Sequence, residues 1–556
     1  MQEREGQVFL VLTLMIGALT GLAVVAFILL TERLGMRLYP VGSAAWRRLL
    51  IPVAGSLGMG YLLFRYFPDA RGSGVPQTKA AMFARQGVIT FQTLMGKFFC
   101  TSATLASGIP LGREGPSVQV GGGIASVLGR RLGLRPEKVQ ALIPVAAAAA
   151  IAAAFNTPLA AVLFSLEEIM GDLHAPVLGS VVLASATSWL VLRVSLGNHP
   201  LFVVPQYQLV HPLEFAIYAL LGVAGGLVSA AFTKLLLGMR ERFLRMPAWT
   251  CWFQPVTGGL LAGLMGLLVP QVLGVGYGYV GDALNGKMAL SLMAALVVFK
   301  LLAVTTSYAS GNAGGIFGPS LFIGAMLGGA IGSVAHQLLP GHTATAGAYA
   351  LVGMGTLFAG VVRAPMTSVL MIFETTHDYA VIVPVMISNL VSFFISSRLQ
   401  RQPIYDALAH QDGIHLPSAE MRQRAGIRRV NEVMRPASEV LSAELPVRDA
   451  LQAMRKSRVQ AWPVMGAAGV IGVANAVAIE KWAAAGGREH LGDLVKGDVF
   501  PHLHADQPLH VALERLGAAG VDVLPVVSRA DVHILLGVVE LDELLRAYGV
   551  KKQGSG

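Results

Sequence analysis

The chain has 556 residues, of which 54% are hydrophobic and only 13% charged, with a formal net charge of +10. A soluble domain carries about a quarter charged residues, so this composition excludes an ordinary soluble protein and places most of the chain in a bilayer. Basic residues flanking membrane segments account for the positive balance, and no basic-aromatic stripe of the kind that binds nucleic acid is present.

The first long apolar run, Val8 to Leu30, is interrupted only by Thr and Gly. It exceeds the roughly 20 residues needed to span hydrocarbon, whereas a signal-peptide core is about 7–15, so a retained membrane helix is expected. Apolar stretches recur near 50–64, 89–105, 139–170, 175–193, 213–237, 255–273, 288–306, 316–339, 346–374 and 381–397. These predict a many-helix bundle. Several are broken by Gly or Pro where a simple span would be continuous, the mark of discontinuous helices lining an enclosed path. Cys100 and Cys251 sit in apolar surroundings and read as packed thiols, with no disulfide framework.

Two glycine-rich phrases repeat. "ASGIPLGREGPS" (Ala106 to Ser117) returns as "ASGNAGGIFGPS" (Ala309 to Ser320), with Arg113 and Glu114 replaced by Ile316 and Phe317. Lys97 aligns with Lys300, Gly112 with Gly315, and Gly115-Pro116-Ser117 with Gly318-Pro319-Ser320, all offset by 203. Further on, "NTPLAAVLFSLE" and "RAPMTSVLMIFE" each place a Glu nine positions after a Pro, at Pro158 and Glu167 and at Pro365 and Glu374. The matched Lys and Glu are not explained by the abundance of Gly and Pro in membrane helices, so the membrane part is an internal duplication. Such repeats meet at a midplane site, with broken helices pointing their N-termini at the substrate.

Each Gly-x-x-Gly-Pro-Ser phrase fits a helix start, with Pro in the first turn and glycines leaving the amides uncovered. A third start is "RGSGVPQ" (Arg71 to Gln77), where a serine hydroxyl lies beside the amides. Free N–H groups at the positive end of a helix dipole attract anions, and three such starts together favour a small inorganic anion.

After about Arg398 the long apolar runs stop. Short β-rich segments ("AWPVMG", "VIGVAN", "VLPVVS", "ILLGVVE") alternate with helical patterns ("VRDALQAMRKS", "LHVALERLGAAG"), predicting a soluble α/β domain. It is itself a repeat: Pro446 matches Pro508 and Pro463 matches Pro525, both offset by 62. Basic residues after the last span, among them Arg398, Arg401, Arg422, Arg424, Arg428 and Arg429, place this domain in the cytoplasm.

Taken together, the chain resembles the CLC chloride channels and chloride/proton antiporters that carry a cytoplasmic pair of CBS domains. The resemblance rests on "GSGVP" (Gly72, Ser73, Gly74 and Pro76), "GREGP" (Gly112, Arg113, Glu114, Gly115 and Pro116), "GIFGP" (Gly315, Ile316, Phe317, Gly318 and Pro319) and the tyrosine of "RQPIYDAL", Tyr405. The similar "SGIP" at Ser107 to Pro110 is a decoy, because the family's first motif lies well upstream of GREGP. The implied fold is a polytopic all-α membrane protein with an internal inverted repeat, followed by an α/β CBS pair. The implied domains are a transport domain over 1–410, a linker over 411–430 and tandem CBS domains over 431–550, divided near 490.

The resemblance also implies roles. Ser73 and Tyr405 would donate hydroxyls to a central chloride, and the backbone amides of Ile316 and Phe317 would cap it, their apolar side chains excluding water. Glu114 would compete with chloride when ionised and leave when protonated, acting as gate and external proton acceptor; a salt bridge to Arg113 is the alternative for it. Glu168, in "FSLEEIM", falls where the family's antiporters keep an internal proton-transfer glutamate. Adjacent helical residues point about 100 degrees apart, so Glu167 can bond to the bundle while Glu168 faces the proton path. Glu374 is expected to be structural, and Lys97 and Lys300 to add positive field near the pathway.

Chloride/proton exchange is therefore the leading expectation. A passive gated chloride channel on the same fold is the runner-up, and an intramembrane enzyme or a membrane-anchored sensor is a remote alternative. No nucleophile motif or metal-ligand cluster supports an enzyme. Ser73 favours chloride over nitrate, for which a proline there is typical of the family. A homodimer in a prokaryotic inner membrane, with chloride, protons and lipid as partners and no metal or other cofactor, completes the expectation. Adenine nucleotide at the CBS pair is doubtful, because the positions that would contact it are Asn475, Ala478, Glu540 and Glu543 where the family uses Ser/Thr and Asp.

Overall fold

The computed structural model describes residues 2–40, 42–173, 177–197, 201–202, 204–205, 207, 209–414, 416, 428–437, 439–455, 461–467, 469–476, 479–480, 482, 490–495 and 500–548. Ala478, Arg422, Arg424 and most of the expected linker lie outside the described residues. The chain forms two compact units, 1–416 and 417–556.

The first unit is helical, in two successive sets. The first is α1 (Gln2–Leu38), α2 (Arg47–Arg65), α3 (Val75–Phe83), α4 (Phe91–Ala106), α5 (Glu114–Arg131), α6 (Pro136–Phe155), α7 (Pro158–Phe164) and α8 (Leu178–Leu196). The second is α9 (Glu214–Leu244), α10 (Pro255–Leu268), α11 (Tyr277–Leu284), α12 (Leu290–Ala309), α13 (Phe317–Leu338), α14 (Ala346–Val362), α15 (Pro365–Thr376) and α16 (Ile382–Leu399), after which α17 (Ile404–Gln411) closes the unit. Among the described residues seven helical segments, including α1, α6, α9, α12 and α13, are long and apolar enough to cross a membrane, while α10 and α14 are shorter.

The apolar runs 139–170 and 346–374 are each two helices rather than one. Asn156 and Arg363 take left-handed conformations (φ 61° and 68°) that end α6 and α14. Two residues later a proline opens the next helix, where its missing N–H costs nothing.

Equivalent residues of the two sets meet. Gly112 N donates to Gly315 O and Gly315 N to Gly112 O, both at 2.7 Å, in an antiparallel bridge. A reciprocal contact between repeat-related residues defines a local two-fold between the two sets, as an inverted duplication requires. Glu167 obeys the same symmetry, accepting from the Met366 and Thr367 amides at the start of α15, while Glu374 accepts from the Leu159 and Ala160 amides at the start of α7. Each carboxylate thus satisfies orphan donors of the other repeat's broken helix.

The second unit holds two small sheets of the same topology. In one, β1 (Leu441–Ser442) runs parallel to β2 (Ala461–Gly466), which pairs antiparallel with β3 (Gly469–Asn475). In the other, β4 (Leu503–His504), β5 (Val523–Val527) and β6 (Leu535–Glu540) repeat that order. Helices α18 (Val447–Arg455), α19 (Leu491–Leu494), α20 (Leu509–Ala519) and α21 (Leu541–Ala547) accompany them. Pro463 and Pro525 occupy equivalent places in the central strands, as the 62-residue offset requires.

Candidate functional site

Helix starts from both repeats converge in the centre of the first unit. Gly74, at φ 101°, caps α3, and a side chain there would lie 2.7 Å from the carbonyl carbon of Gly115. Only glycine allows the starts of α3 and α5 to approach this closely. Ser73, immediately before the cap, is fully buried and donates its backbone N–H to Tyr308 Oη at 3.2 Å. Tyr405, also fully buried, stands at the start of α17, which packs on α3. The Ser73 and Tyr405 hydroxyls are both buried, and neither has a hydrogen-bond partner of ordinary geometry among the described residues. Two buried orphan hydroxyls beside a helix N-terminus are donors prepared for an anion.

Ile316 caps α13 and Phe317 begins it, both fully buried. The Phe317 ring lies 4.3 Å from that of Phe358, 4.7 Å from Phe155 and 5.5 Å from Phe164. This aromatic wall keeps water from the α13 amides, where dipoles act most strongly.

Glu114 opens α5 and is fully buried. One carboxylate oxygen accepts from Gly318 N at 3.1 Å, in the first turn of α13, and the other accepts from Tyr277 Oη. The carboxylate therefore sits where an anion would bind that helix end. Arg113 does not pair with it: its guanidinium lies 3.5 Å from Glu32 and 5.4 Å from the centre of the Tyr277 ring. Tyr277 escaped the sequence reading although a signal was there, because "GVGYG" (Gly274 to Gly278) is the repeat copy of "GSGVP", offset by 202.

Lys97 and Lys300 are fully buried and have a concrete structural task. Lys97 Nζ donates to the carbonyls of Ala70 (3.1 Å) and Gly72 (2.5 Å), and Lys300 Nζ to those of Val272 (2.9 Å) and Gly274 (2.6 Å). Each holds the loop that leads into α3 or α11, and with it the G-x-G phrase. Cys100 is buried as expected, whereas Cys251 is only half-buried and lines a cavity near Arg71 and Arg240.

Glu167 and Glu168 diverge as their adjacency implies, but from a wider π-helical turn, 165–170, a distortion that often accompanies function. Glu167 reaches α15; Glu168 accepts from Lys79 Nζ at 2.9 Å, and the same ammonium donates to Asp406 at 2.6 Å. Neither Lys79 nor Asp406 was singled out from the sequence. Lys79, a charged residue in α3 six positions after Ser73, was the available signal. Tyr405 lies within electrostatic reach of both Glu114 and Glu168.

The sequence model of the voltage-gated chloride channel family matches residues 50–397. This chain is a member of that family. The CBS domain model matches residues 430–479 and 492–550 of the second unit. The chain is 34% identical over 370 residues to the H(+)/Cl(-) exchange transporter ClcA of Vibrio campbellii, covering 66% of this chain and 78% of that protein. It is 32% identical over 357 residues to ClcA of Vibrio cholerae, covering 63% and 76%. Among solved structures it resembles a slow cyanobacterial Cl-/H+ antiporter, with 27% identity and a TM-score of 0.67 over 73% of this chain and 97% of that one. A eukaryotic CLC transporter, 21% identical, matches in fold with a TM-score of 0.68 over 96% of this chain and 97% of that one. The protein is an integral membrane member of a transporter family, with the helical domain of that family followed by a tandem CBS pair.

Proposed function

We propose that this protein exchanges chloride for protons across a membrane. The observation that carries this is the placement of Glu114: an ionisable carboxylate holds the α13 N-terminal amide that an anion needs, so chloride and proton must take turns there. Protonation neutralises the carboxylate and releases it from the amide, admitting chloride. Chloride is then held by the Ser73 and Tyr405 hydroxyls and the Ile316 and Phe317 amides, and Glu168 passes the protons. The printed names of the Vibrio relatives, proton/chloride exchange transporters, support exchange over passive conduction. The protein works as a homodimer with one pathway per subunit, in a prokaryotic inner membrane, with the CBS pair in the cytoplasm and no cofactor in the transport step.

Proton uptake into sealed liposomes, driven by a chloride gradient at controlled potential, tests this. Uphill proton movement is expected, and Glu168→Gln should abolish it. Brisk chloride flux without proton movement would leave a gated channel.

A further inference from the structure

The charge cluster around Glu168 is larger than proton transfer by Glu168 alone needs. Lys79 Nζ bridges two carboxylates, Glu168 at 2.9 Å and Asp406 at 2.6 Å. Their exposure is graded: the Lys79 and Glu168 side chains are 4% and 7% exposed, that of Asp406 28%. A proton arriving from water meets Asp406 first. Among the described residues two carboxylates share the one ammonium that contacts them, so a proton on one of them gives up less than it would in a one-to-one ion pair.

We propose that Asp406 is the proton-loading residue of the pathway, delivering protons to Glu168 through Lys79; this rests on the exchange reading above. In the step, Asp406 takes a proton from water, then gives it to Lys79 as Lys79 gives one of its own to Glu168. The Asp406 O–H and one Lys79 N–H break, a new Lys79 N–H and a Glu168 O–H form, and Lys79 ends as the ammonium it began as. The other charged groups near Asp406 do not compete for this role. Arg363, within electrostatic reach of both carboxylates, is committed to the backbone carbonyls of Ser396, Gln400 and Arg401. Glu167 is committed to the start of α15. His410, one turn further along α17, is exposed.

The geometry also accounts for coupling. Lys79 lies on α3, six positions after Ser73, and Asp406 directly follows Tyr405 on α17. The helices that supply the anion hydroxyls thus supply two members of the proton cluster, so a change of charge in the cluster bears on the elements that hold the anion.

The test is Asp406→Asn in the full chain, reconstituted in liposomes, with chloride and proton fluxes measured together. Loss of a positioned proton-transfer group costs about a hundredfold or more in rate, so the proton-to-chloride ratio should collapse while chloride flux, the control for folding, persists. Asp406→Glu should restore the ratio, which a merely structural role for the aspartate would not require. Asp406→Ser serves with the same readout should the Asn variant not fold. Coupling at the wild-type ratio in a folded Asn or Ser variant overturns this proposal alone. A wild-type protein that moves no protons overturns it together with the exchange reading.

Discussion

Tyr277 and Gly318 hold separate oxygens of the Glu114 carboxylate, one by a phenol and one by a backbone amide. The amide belongs to the helix start and cannot be removed without rebuilding α13, but the phenol can. A hydrogen bond to a charged group contributes about 1.5–3 kcal/mol, and each 1.4 kcal/mol is tenfold in an equilibrium. Tyr277→Phe should therefore loosen the ionised gate, raising chloride flux at fixed neutral pH by about tenfold and lowering the number of protons moved per chloride. An unchanged flux would mean that the phenol does not restrain the gate. At this scale the sequence was legible where a motif names a side chain, as with Ser73, Glu114 and Tyr405. It was silent on pairing across the chain: the repeat marks Tyr277 in the second G-x-G phrase, but nothing local to Glu114 points 163 positions ahead to it.

The helix starts depend on charges borrowed across the two-fold. Glu167 accepts from the Thr367 amide at 2.9 Å and its hydroxyl at 2.8 Å, and Glu374 accepts from the Ala160 amide at 2.7 Å. A carboxylate capping orphan amides at a helix N-terminus contributes about 1 kcal/mol or slightly more. Glu167→Gln should lower the unfolding temperature in detergent and leave the proton-to-chloride ratio intact, the opposite of the pattern expected for Glu168→Gln. Loss of coupling in the Glu167 variant would show that the two adjacent glutamates share the proton task. The pairing of Glu167 with Glu374 was readable from their matched distance after a proline, because that spacing survives duplication. Pro158 and Pro365 mark that a new helix begins, but not where the old one ends, because that is set by the left-handed backbone of a single residue, Asn156 or Arg363.

At the scale of the whole molecule, duplication explains why so much was legible. Two copies of one pattern mark which Gly, Pro, Lys and Glu matter, and the same device, with an offset of 62, marks the halves of the CBS pair. What duplication does not carry is ligand chemistry in the second unit, where the relevant positions have diverged. Glu543 is engaged by Arg435 at 2.7 Å and Arg546 at 3.2 Å, and Glu540 caps α21 beside it. A polyphosphate brought here would meet two carboxylates where a hydroxyl and a single acid would serve it, and the neighbouring arginines already have partners. Like charges at such a site act against binding rather than for it. A ligand at a hundred times its Kd would stabilise its folded unit by about 2.7 kcal/mol, a readily measured shift in the unfolding transition. Millimolar ATP is expected to leave that transition, and the chloride flux, where they were. A saturable rise in unfolding temperature would instead mean that backbone amides or the arginines carry the phosphates despite the two glutamates, and that the CBS pair senses nucleotide.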